Sequence, residues 1–401
     1  MKKIFSALIL AALALPLKAA ELQFVESVPD ETVYGSSLTA RPQAVWLDMI
    51  GAAGKTLDIE QFYIADQAGE VLEPVLGAVK DAVKRGVKVR LLVDSAMMKE
   101  TEKSLTALKE AGVDARVIDF KKNGAGGIQH SKFFVADGKE LYVGSQNFDW
   151  RSLKHIHELG LRIKSARAAA DLKRVFEADW ALAAGGDARK IFSGKARAPV
   201  TAAKPEKAEL NGAEVSYSLA FSPKGFIPAG MDTEITQLVK LLAAAKKTVR
   251  GQVMTYALTE HGSPRWDELD SAFRNAAARG VKVQLVFADW AMGGKADQDI
   301  KALGKVENIE VRISALPQHS SGLIPFSRVE HLKYLVMDGE NGYVTTSNWG
   351  PAYFLTTRGA SVIIKGAAGA AVLEDIFSRT WTGPYVQPVD QLKEYHPVKR
   401  S

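Results

Sequence analysis

Two long stretches of this 401-residue chain carry the same residues at a constant separation of 201 positions. The match runs for about fifty residues, from a motif rich in polar side chains into a helical pattern beyond it. A single offset kept over that length indicates a duplicated unit, so the fold must pair two copies of one arrangement. The residues related by the offset include His130 and His331, Lys132 and Lys333, Asp137 and Asp338, Asn147 and Asn348, and Trp180 and Trp381.

Each unit alternates between strand and helix patterns. In the first unit, an apolar, β-rich run at 57–64 precedes a helical pattern at about 71–85 that Gly86 should end. A strand pattern at 87–94, a further helical pattern and a strand carrying His130 follow. Such alternation predicts an α/β fold with a mixed sheet flanked by helices. We expect two duplicated halves of this kind, packed about a pseudo-twofold axis.

The first twenty residues have the pattern of a secretory signal peptide. Two lysines are followed by an apolar run at 4–17 and by the small residues Ala19 and Ala20. We predict cleavage before Glu21 and hence export, to a periplasm or out of the cell. A permanent anchor is the weaker alternative because the run is too short to span a bilayer comfortably. A buried amino-terminal helix is the other alternative.

A second segment of unusual composition divides the remaining chain. Residues 194–212 are rich in Ala, Pro and Lys and show no apolar period, which predicts a linker. The organisation is then a signal peptide at 1–20, one half at 21–193 and another at 213–401. No stretch after the first twenty residues is long and apolar enough for a transmembrane helix.

Charge and cysteine content narrow the function only slightly. The signal segment carries three lysines and no acid, so the net charge falls from +6 to 6 − 3 = +3. A mildly basic protein permits an anionic partner without requiring one. The chain has no cysteine, which excludes disulfides, thiolate metal sites and a cysteine nucleophile.

The repeated polar residues suit the chemistry of a phosphodiester. His130 and Lys132 are two apart and should face the same side of a strand, as should their copies. The lysines would neutralise nonbridging phosphate oxygens, and the asparagine amides with hydroxyls such as Ser145 and Thr346 would donate hydrogen bonds. One neutral histidine would attack phosphorus, and the other would protonate the leaving oxygen and later activate water. This chemistry requires no metal and no cofactor, and we predict neither.

Both motifs resemble the HxKx4D(x)nGSxN signature of the phospholipase D superfamily, and the resemblance covers nearly all of the chain after residue 20. The flanking stretches "NFDWRSLKHIHELG", "IPFSRVEHLKYLVMDG" and "TSNWGPAYF" are similar to the group that contains mammalian phospholipase D family members 3 and 4 and related viral envelope proteins. The resemblance implies one shared catalytic site formed by His130, Lys132, Asn147, His331, Lys333 and Asn348.

Supporting roles also follow from the resemblance. Asp137 and Asp338 are expected to brace strands and loops rather than to touch the substrate. Thr345 stands where the first half has Gly144, but the hydroxyl of Thr346 and the asparagine after it are kept. We therefore do not interpret this change as inactivating.

An acidic residue distinguishes the two halves. Glu158, eleven residues after Asn147, matches an acid that orients a motif histidine through its imidazole N–H, and the second half has Gly359 at the equivalent position. The histidine held by Glu158 is the better candidate for the nucleophile. On this basis we assign His130 as the nucleophile and His331 as the acid.

Three functional hypotheses remain. The first is a metal-independent phosphodiesterase that hydrolyses or transfers a phospholipid headgroup through a covalent phosphohistidine, with peripheral contact to a membrane. The second is an exonuclease on single-stranded DNA or RNA. The third is a non-enzymatic protein that binds anionic lipid or nucleic acid, which two intact motifs argue against. An exposed apolar loop would favour lipid, and a narrow basic channel blocked at one end would favour the exonuclease. None of the three implies an obligate protein partner.

Some aromatic residues and histidines stay without a firm role. Aromatic residues near the motif ends could stack a base, line an acyl channel or pack in the core: Trp150, Trp290, Trp349, Tyr353 and Phe354. Five histidines have no repeated partner and are assigned no function: His155, His157, His261, His319 and His396.

Overall fold

A computed structural model of the chain describes residues 20–194, 199–260 and 264–401. The predicted signal peptide lies outside the described residues except for Ala20, which begins the first strand. Cleavage before Glu21 therefore stays a prediction. Within the described ranges, no helix combines the length and apolar character needed to cross a bilayer.

The first half alternates strands and helices in the predicted order. Its strands are β1 (Ala20–Ser27), β2 (Thr56–Gln61), β3 (Ile64–Ala65), β4 (Lys88–Asp94), β5 (Asp114–Ile118), β6 (Phe133–Ala136), β7 (Glu140–Gly144), β8 (Phe148–Asp149) and β9 (Glu158–Lys164). Its helices are α1 (Pro42–Ala52), α2 (Glu73–Lys84), α3 (Met98–Glu110), α4 (Phe120–Asn123), α5 (Trp150–Lys154), α6 (Ala166–Ala183) and α7 (Ala188–Phe192).

The second half repeats the pattern. Its strands are β10 (Glu206–Leu210), β11 (Ala213–Ser222), β12 (Asp232–Thr233), β13 (Thr248–Val253), β14 (Lys282–Ala288), β15 (Ile309–Ser314), β16 (Tyr334–Met337), β17 (Asn341–Thr345), β18 (Gly359–Lys365) and β19 (Val386–Pro388). Its helices are α8 (Glu234–Ala244), α9 (Glu268–Ala278), α10 (Ala296–Gly304), α11 (Pro351–Leu355) and α12 (Ala367–Trp381).

Local sequence explains where helix α2 ends and where helix α6 begins. Helix α2 stops as predicted at Gly86, whose φ of 88° places it in the left-handed region that glycine adopts without steric cost. The Gly86 N–H donates to the Val83 carbonyl at 2.9 Å. Helix α6 begins after Ser165, whose hydroxyl accepts a hydrogen bond from the Ala168 N–H at 3.1 Å.

Strands β3 and β8 pair in parallel as a separate two-stranded sheet, and the other strands form one mixed sheet in which the two halves have matching orders. The first half runs β5-β4-β2-β6-β7-β9-β1, and the second runs β15-β14-β13-β16-β17-β18-β11. In each half the first three strands of the order are parallel and the remaining neighbours are antiparallel. The predicted α/β fold with two duplicated halves is confirmed.

Reciprocal backbone hydrogen bonds relate the halves by a pseudo-twofold axis. The His130 N–H donates to the Arg358 carbonyl at 3.0 Å, and the His331 N–H donates to the His157 carbonyl at 2.8 Å. The offset of 201 converts one pair into the other with the halves exchanged, since 130 + 201 = 331 and 157 + 201 = 358. Contacts that exchange partners in this way are characteristic of twofold symmetry.

The halves share a central hydrophobic core. Phe176 and Trp180 of α6 stack at 5.4 Å, and their repeat counterparts on α12, Phe377 and Trp381, stack at 5.2 Å. Both aromatic pairs pack into one cluster that draws residues from the sheets of both halves. Each buried phenylalanine there contributes about 2 kcal/mol of transfer free energy. A further core lies on the outer face of each half.

The segment predicted to be a linker contains a strand. Strand β10 lies within 194–212, pairs in parallel with β1 and pairs antiparallel with β11. Its side chains alternate between exposed and buried, with Ala208 and Leu210 in the central core. The absence of an apolar period gave no sign of this strand, because two apolar residues suffice when strands on both sides supply the hydrogen bonds.

Candidate active site

Both motif histidines lie in extended segments that lead into a strand. Strand β6 begins at Phe133 and β16 at Tyr334, so the prediction that the histidine itself is part of the strand is wrong. The backbone at His130 bonds to Arg358 of the other half instead of to a strand of its own half. The Lys132 carbonyl already accepts a ladder bond from β7. The histidines are therefore placed at the boundary between the halves.

The two histidines line one pocket of about 530 Å³, a volume typical of ligand sites. Asn147, Asn348 and Glu158 line it with them. The remaining lining residues are mostly apolar: Phe62, Tyr63, Met97, Glu100, Arg151, Ile156, Met254, Trp290, Pro325, Phe326, Val329 and Tyr353. The structure thus brings the histidines and asparagines of both motifs together.

A backbone carbonyl sets the tautomer of His130. Its Nδ1 lies 3.0 Å from the Thr346 carbonyl oxygen. Because a carbonyl can only accept, Nδ1 carries the hydrogen and Nε2 keeps a free lone pair. Burial, followed by the charges of Lys132 and Lys333, holds the pKa of His130 well below its ordinary value. The ring is neutral, as a nucleophile must be.

Glu158 pairs with the histidine of the other half. Its Oε2 lies 2.7 Å from Nδ1 of His331, so the expectation that it orients His130 is wrong. The cause is the backbone bond between the His331 N–H and the His157 carbonyl, which puts the next side chain of β9 against the imidazole across the boundary. The two histidines consequently have unlike partners, one a carboxylate and one a carbonyl.

The Glu158–His331 pair titrates near neutrality. Burial raises the pKa of Glu158 to about 7, against the charge of Lys333 and hydrogen bonds from Ser145 and Ser152. Burial and the two motif lysines lower the pKa of His331. Whether the proton of the protonated pair sits on the carboxylate or on Nδ1, the imidazole Nε2 bears a hydrogen. The pair can therefore donate a proton from Nε2 below about pH 7.

The two motif lysines are fully buried. Lys132 Nζ donates to the His130 carbonyl at 2.6 Å, and Lys333 Nζ donates to the His331 carbonyl at 2.7 Å. Burial lowers the pKa of Lys333 to about 7 despite the nearby Glu158 carboxylate, and burial together with Lys333 lowers that of Lys132. An incoming phosphodiester anion would favour the charged form of both lysines.

The motif asparagines present unpaired polar atoms. Neither the oxygen nor the nitrogen of the Asn348 carboxamide has a hydrogen-bond partner, and the Asn147 oxygen has none. Both residues are buried and line the pocket. Buried polar atoms in native proteins are nearly always hydrogen-bonded, so these atoms are suited to a ligand that enters the pocket.

The hydroxyls of Ser145 and Thr346 tie the asparagine turns to the neighbouring strands. Ser145 Oγ accepts from the Leu159 N–H at 3.0 Å, and Thr346 Oγ1 accepts from the Ala360 N–H at 3.0 Å. Neither residue lines the pocket. Both hydroxyls are buried, and their contact with phosphate oxygens stays a prediction.

Asp137 and Asp338 brace the strands, as predicted. Each carboxylate accepts three consecutive backbone N–H groups, those of residues 54–56 and of residues 246–248, at distances of 2.7 to 3.0 Å. Partial burial alone would raise the pKa of both carboxyls. The backbone hydrogen bonds have the larger effect, so both pKa values lie below the ordinary value for aspartate. Neither aspartate lines the pocket.

Sequence reasoning missed a buried cluster behind the site. His157 lies between Glu330 and Glu26, with ring-nitrogen to carboxylate distances of 2.7 and 3.0 Å. Although burial opposes it, the two carboxylates raise the pKa of His157 to about 9. Its repeat counterpart Arg358 is bound by Asp179 at 2.7 Å, so both positions hold a cation. The sequence signal for this cluster was that His157 and Arg358, which the offset of 201 relates, can both carry a positive charge.

The aromatic residues near the motif ends divide between pocket and core. Trp290 and Tyr353 line the pocket. Trp349 and Phe354 are buried in the outer core of the second half, and Trp150 packs against that of the first.

Comparison with known proteins identifies the class to which this fold and site belong. The family described as "Cardiolipin synthase, PLD-like domain" matches residues 46–180 and 238–381. The chain belongs to this family, and it is a phosphodiesterase of the phospholipase D type.

Individual relatives agree with this membership. The chain is 31% identical to 5'-3' exonuclease PLD3 of Xenopus laevis, over 90% of this chain and 79% of the relative. It is 32% identical to Phospholipase D Z of Dictyostelium discoideum, over 92% and 90%. The crystal structure of phosphatidylserine synthase from Haemophilus influenzae has a TM-score of 0.60 at 12% identity, covering 86% of this chain and 85% of that one. That likeness concerns the fold alone.

Proposed function

We propose that the enzyme cleaves phosphodiesters through a covalent phosphohistidine on His130, with His331 as the general acid and base. The observation that carries the proposal is the difference between the two Nδ1 partners. A carbonyl at His130 leaves a neutral ring with a free Nε2 lone pair. A carboxylate at His331 supports a ring whose Nε2 bears a proton to donate. The roles assigned from the sequence are kept, but for a different reason.

In the first step, Nε2 of His130 forms a bond to phosphorus as the bond to the leaving oxygen breaks. The Nε2 hydrogen of His331 passes to that oxygen, so the alcohol departs neutral. Lys132 and Lys333 offset charge on the nonbridging oxygens, and the asparagine amides can donate to them. After this step the Glu158–His331 pair has lost one proton.

In the second step, His331 acts as the base. Its Nε2 takes a proton from water, the water oxygen bonds to phosphorus, and the nitrogen–phosphorus bond breaks. The electron pair returns to Nε2 of His130, and the Glu158–His331 pair regains its proton. An alcohol in place of water would give transfer instead of hydrolysis.

A phospholipid is the substrate that we propose. Leu323 and Phe326 are 43% and 51% exposed and lie on the loop that contributes Pro325 and Phe326 to the pocket lining. Exposed apolar side chains beside a site suit contact with lipid. The pocket cation Arg151 is paired with Asp149 at 2.8 Å, whereas a groove that follows a nucleic-acid backbone needs several free cations.

A single-stranded nucleic acid is the second candidate. Phe62 and Tyr353 flank the His130 ring at centroid distances of 5.1 and 5.2 Å. Aromatic faces at these positions could hold a base next to the scissile phosphate. The name of the Xenopus laevis relative, 5'-3' exonuclease PLD3, supports the same candidate.

Parallel assays in excess EDTA would distinguish the two substrates. One would follow choline or glycerol release from phosphatidylcholine and phosphatidylglycerol vesicles, and the other the shortening of a labelled single-stranded oligonucleotide. We expect headgroup release without oligonucleotide cleavage, and its absence from His130→Ala. Leu323→Ser should lower the rate on vesicles but not on a soluble short-chain phospholipid.

Other outcomes of these assays would each contradict a different part of the proposal. Oligonucleotide shortening alone would replace the lipid assignment with the exonuclease. Loss of wild-type activity in EDTA would contradict the two-histidine mechanism.

We further propose that residues 1–20 direct export and are removed, to give a periplasmic or secreted enzyme. The basic, apolar and small-residue regions of this segment support the proposal. Amino-terminal sequencing of protein recovered from the envelope or medium should begin at Glu21. A sequence that begins at Met1 in such protein would favour a retained anchor.

A further inference from the structure

A buried carboxylate in the second half has no part in the mechanism so far. Glu234, the first residue of α8, is fully buried. Its Oε1 accepts hydrogen bonds from the Tyr343 hydroxyl at 2.6 Å and from the Thr345 hydroxyl, and its Oε2 accepts from the Ser347 hydroxyl at 2.9 Å. Burying a carboxylate in a protein interior costs free energy unless hydrogen bonds compensate for the lost water. Here three hydroxyl donors provide that compensation.

The residues that Glu234 binds flank the carbonyl that orients the nucleophile. Thr345 and Ser347 are the chain neighbours of Thr346, whose carbonyl accepts from Nδ1 of His130. The Ser347 N–H also donates to Thr345 Oγ1 at 2.9 Å, which tightens the same turn. Holding both neighbours fixes the direction in which the peptide between them points.

The first half lacks this arrangement. At the positions equivalent to Tyr343 and Ser347, the Tyr142 hydroxyl donates to Gln146, a neutral amide, at 2.6 Å. A Cβ on Gly144, the counterpart of Thr345, would lie 2.6 Å from the backbone Cα of Gly160, so a threonine does not fit there without a backbone shift. The carboxylate-held turn thus belongs to the second half alone.

Gly359 provides the space for Glu234. A Cβ at Gly359 would lie 2.3 Å from Ser347 Oγ and 2.9 Å from Glu234 Oε2. Gly359 is the repeat counterpart of Glu158, so the second half has no acid to reach across the boundary to His130. Instead, a carboxylate from α8 occupies the space beside the glycine. The two departures from the repeat, Gly359 and Thr345, are thus parts of one arrangement.

We propose that Glu234 is a positioning residue for His130: its carboxylate fixes the turn at 345–347 and thereby aims the Thr346 carbonyl at Nδ1 of the nucleophile. The inference rests on the proposed role of His130. Glu158 acts on the acid directly, and Glu234 acts on the nucleophile through the backbone. When the turn is loosened, the hydrogen can move to Nε2 of His130, and that tautomer has no lone pair for phosphorus.

The experiment measures the first chemical step and the tautomer separately. A single-turnover burst of p-nitrophenol from phosphatidyl-p-nitrophenol reports attack by His130, because this leaving group departs without a proton donor. Nitrogen-15 NMR of histidine-labelled protein reports which nitrogen of His130 bears hydrogen, with the signal assigned by its loss in His130→Gln. The variants are Glu234→Gln, which removes the charge of the side chain, and Gly359→Ala, which keeps the charge but places a methyl group against Ser347 Oγ and Glu234 Oε2.

We expect Glu234→Gln to slow the burst by about 10- to 100-fold with little change in KM, as for a nucleophile displaced by a fraction of an ångström. Gly359→Ala should slow it in the same direction. In both variants part of the His130 population should carry hydrogen on Nε2. Gln146→Ala in the equivalent turn of the first half is the matched control and should change neither readout.

The outcomes separate this inference from the proposed function. An unchanged burst and tautomer in Glu234→Gln and Gly359→Ala, together with a burst lost in His130→Ala, would overturn this inference alone. A burst that survives His130→Ala would overturn the proposed function and this inference with it. If Glu234→Gln does not fold, Gly359→Ala decides by the same criteria.

Discussion

Replacing His130 by alanine is expected to reduce single-turnover cleavage of a p-nitrophenyl phosphodiester by at least about 10⁴-fold, because His130 is the group that we propose forms the bond to phosphorus. His331→Ala should behave differently on this substrate. The first step needs no proton donor there, but the second step loses its base. The phosphohistidine on His130 should therefore accumulate, and mass spectrometry after an alkaline quench would detect it.

The same mass spectrometry tests which histidine is the nucleophile and which is the acid. An adduct on His331 in the His130→Ala variant would reverse the two roles. His396→Ala, which removes an exposed histidine far from either motif in sequence, is the control and should match the wild type in both rate and adduct. With an alkyl leaving group, by contrast, both His130→Ala and His331→Ala should be inactive, since an alkoxide does not depart without a proton.

Lys333→Met is expected to lower kcat/KM by about 10³-fold, the magnitude found when one preorganised charge or donor is removed from a reacting anion. Although kcat/KM falls in this variant, the pH at which its activity declines should rise. In the wild type, kcat/KM should fall as pH rises through about 7, because the Glu158–His331 pair loses its proton and Lys333 its charge. Lys333 is the largest electrostatic cause, after burial, of the lowered pKa of His331.

The direction in which the pH profile of Lys333→Met shifts distinguishes the loss of a charge from a packing defect. Without the ammonium the pair holds its proton more tightly, so the basic limb of the profile should move to higher pH even though the rate is lower. A rate loss with an unmoved limb would contradict the electrostatic account. Lys139→Met is the matched control, since it removes one exposed lysine and should leave both quantities unchanged.

The repeat made most of the fold and the members of the site predictable from sequence. A constant offset is independent of how the chain is packed, so it paired the histidines, lysines and asparagines directly. The bracing role of Asp137 was implied by the family resemblance and not by local sequence, because its three backbone donors at residues 54–56 are more than eighty positions away.

Contacts across the boundary between the halves were not predictable in this way. Glu158 is near His130 in the sequence, yet it meets His331, because partners at a pseudo-twofold axis come from opposite copies. Glu234 has no motif around it, and Ser347, which it binds, is matched in the first half by Gln146. Strand β10 was hidden for another reason: its two apolar residues are too few to give a period.

The difference between the glutamate at 158 and the glycine at 359 has a consequence for how such a protein can evolve. In a symmetric dimer of one half, every substitution occurs at both copies, so both histidines would receive the same neighbour and the same tendency to hold a proton. Joining the copies in one chain lets one position gain an acid while its twin gives way to another residue. A fused gene can thus specialise its two equivalent residues, one for attack and one for proton transfer.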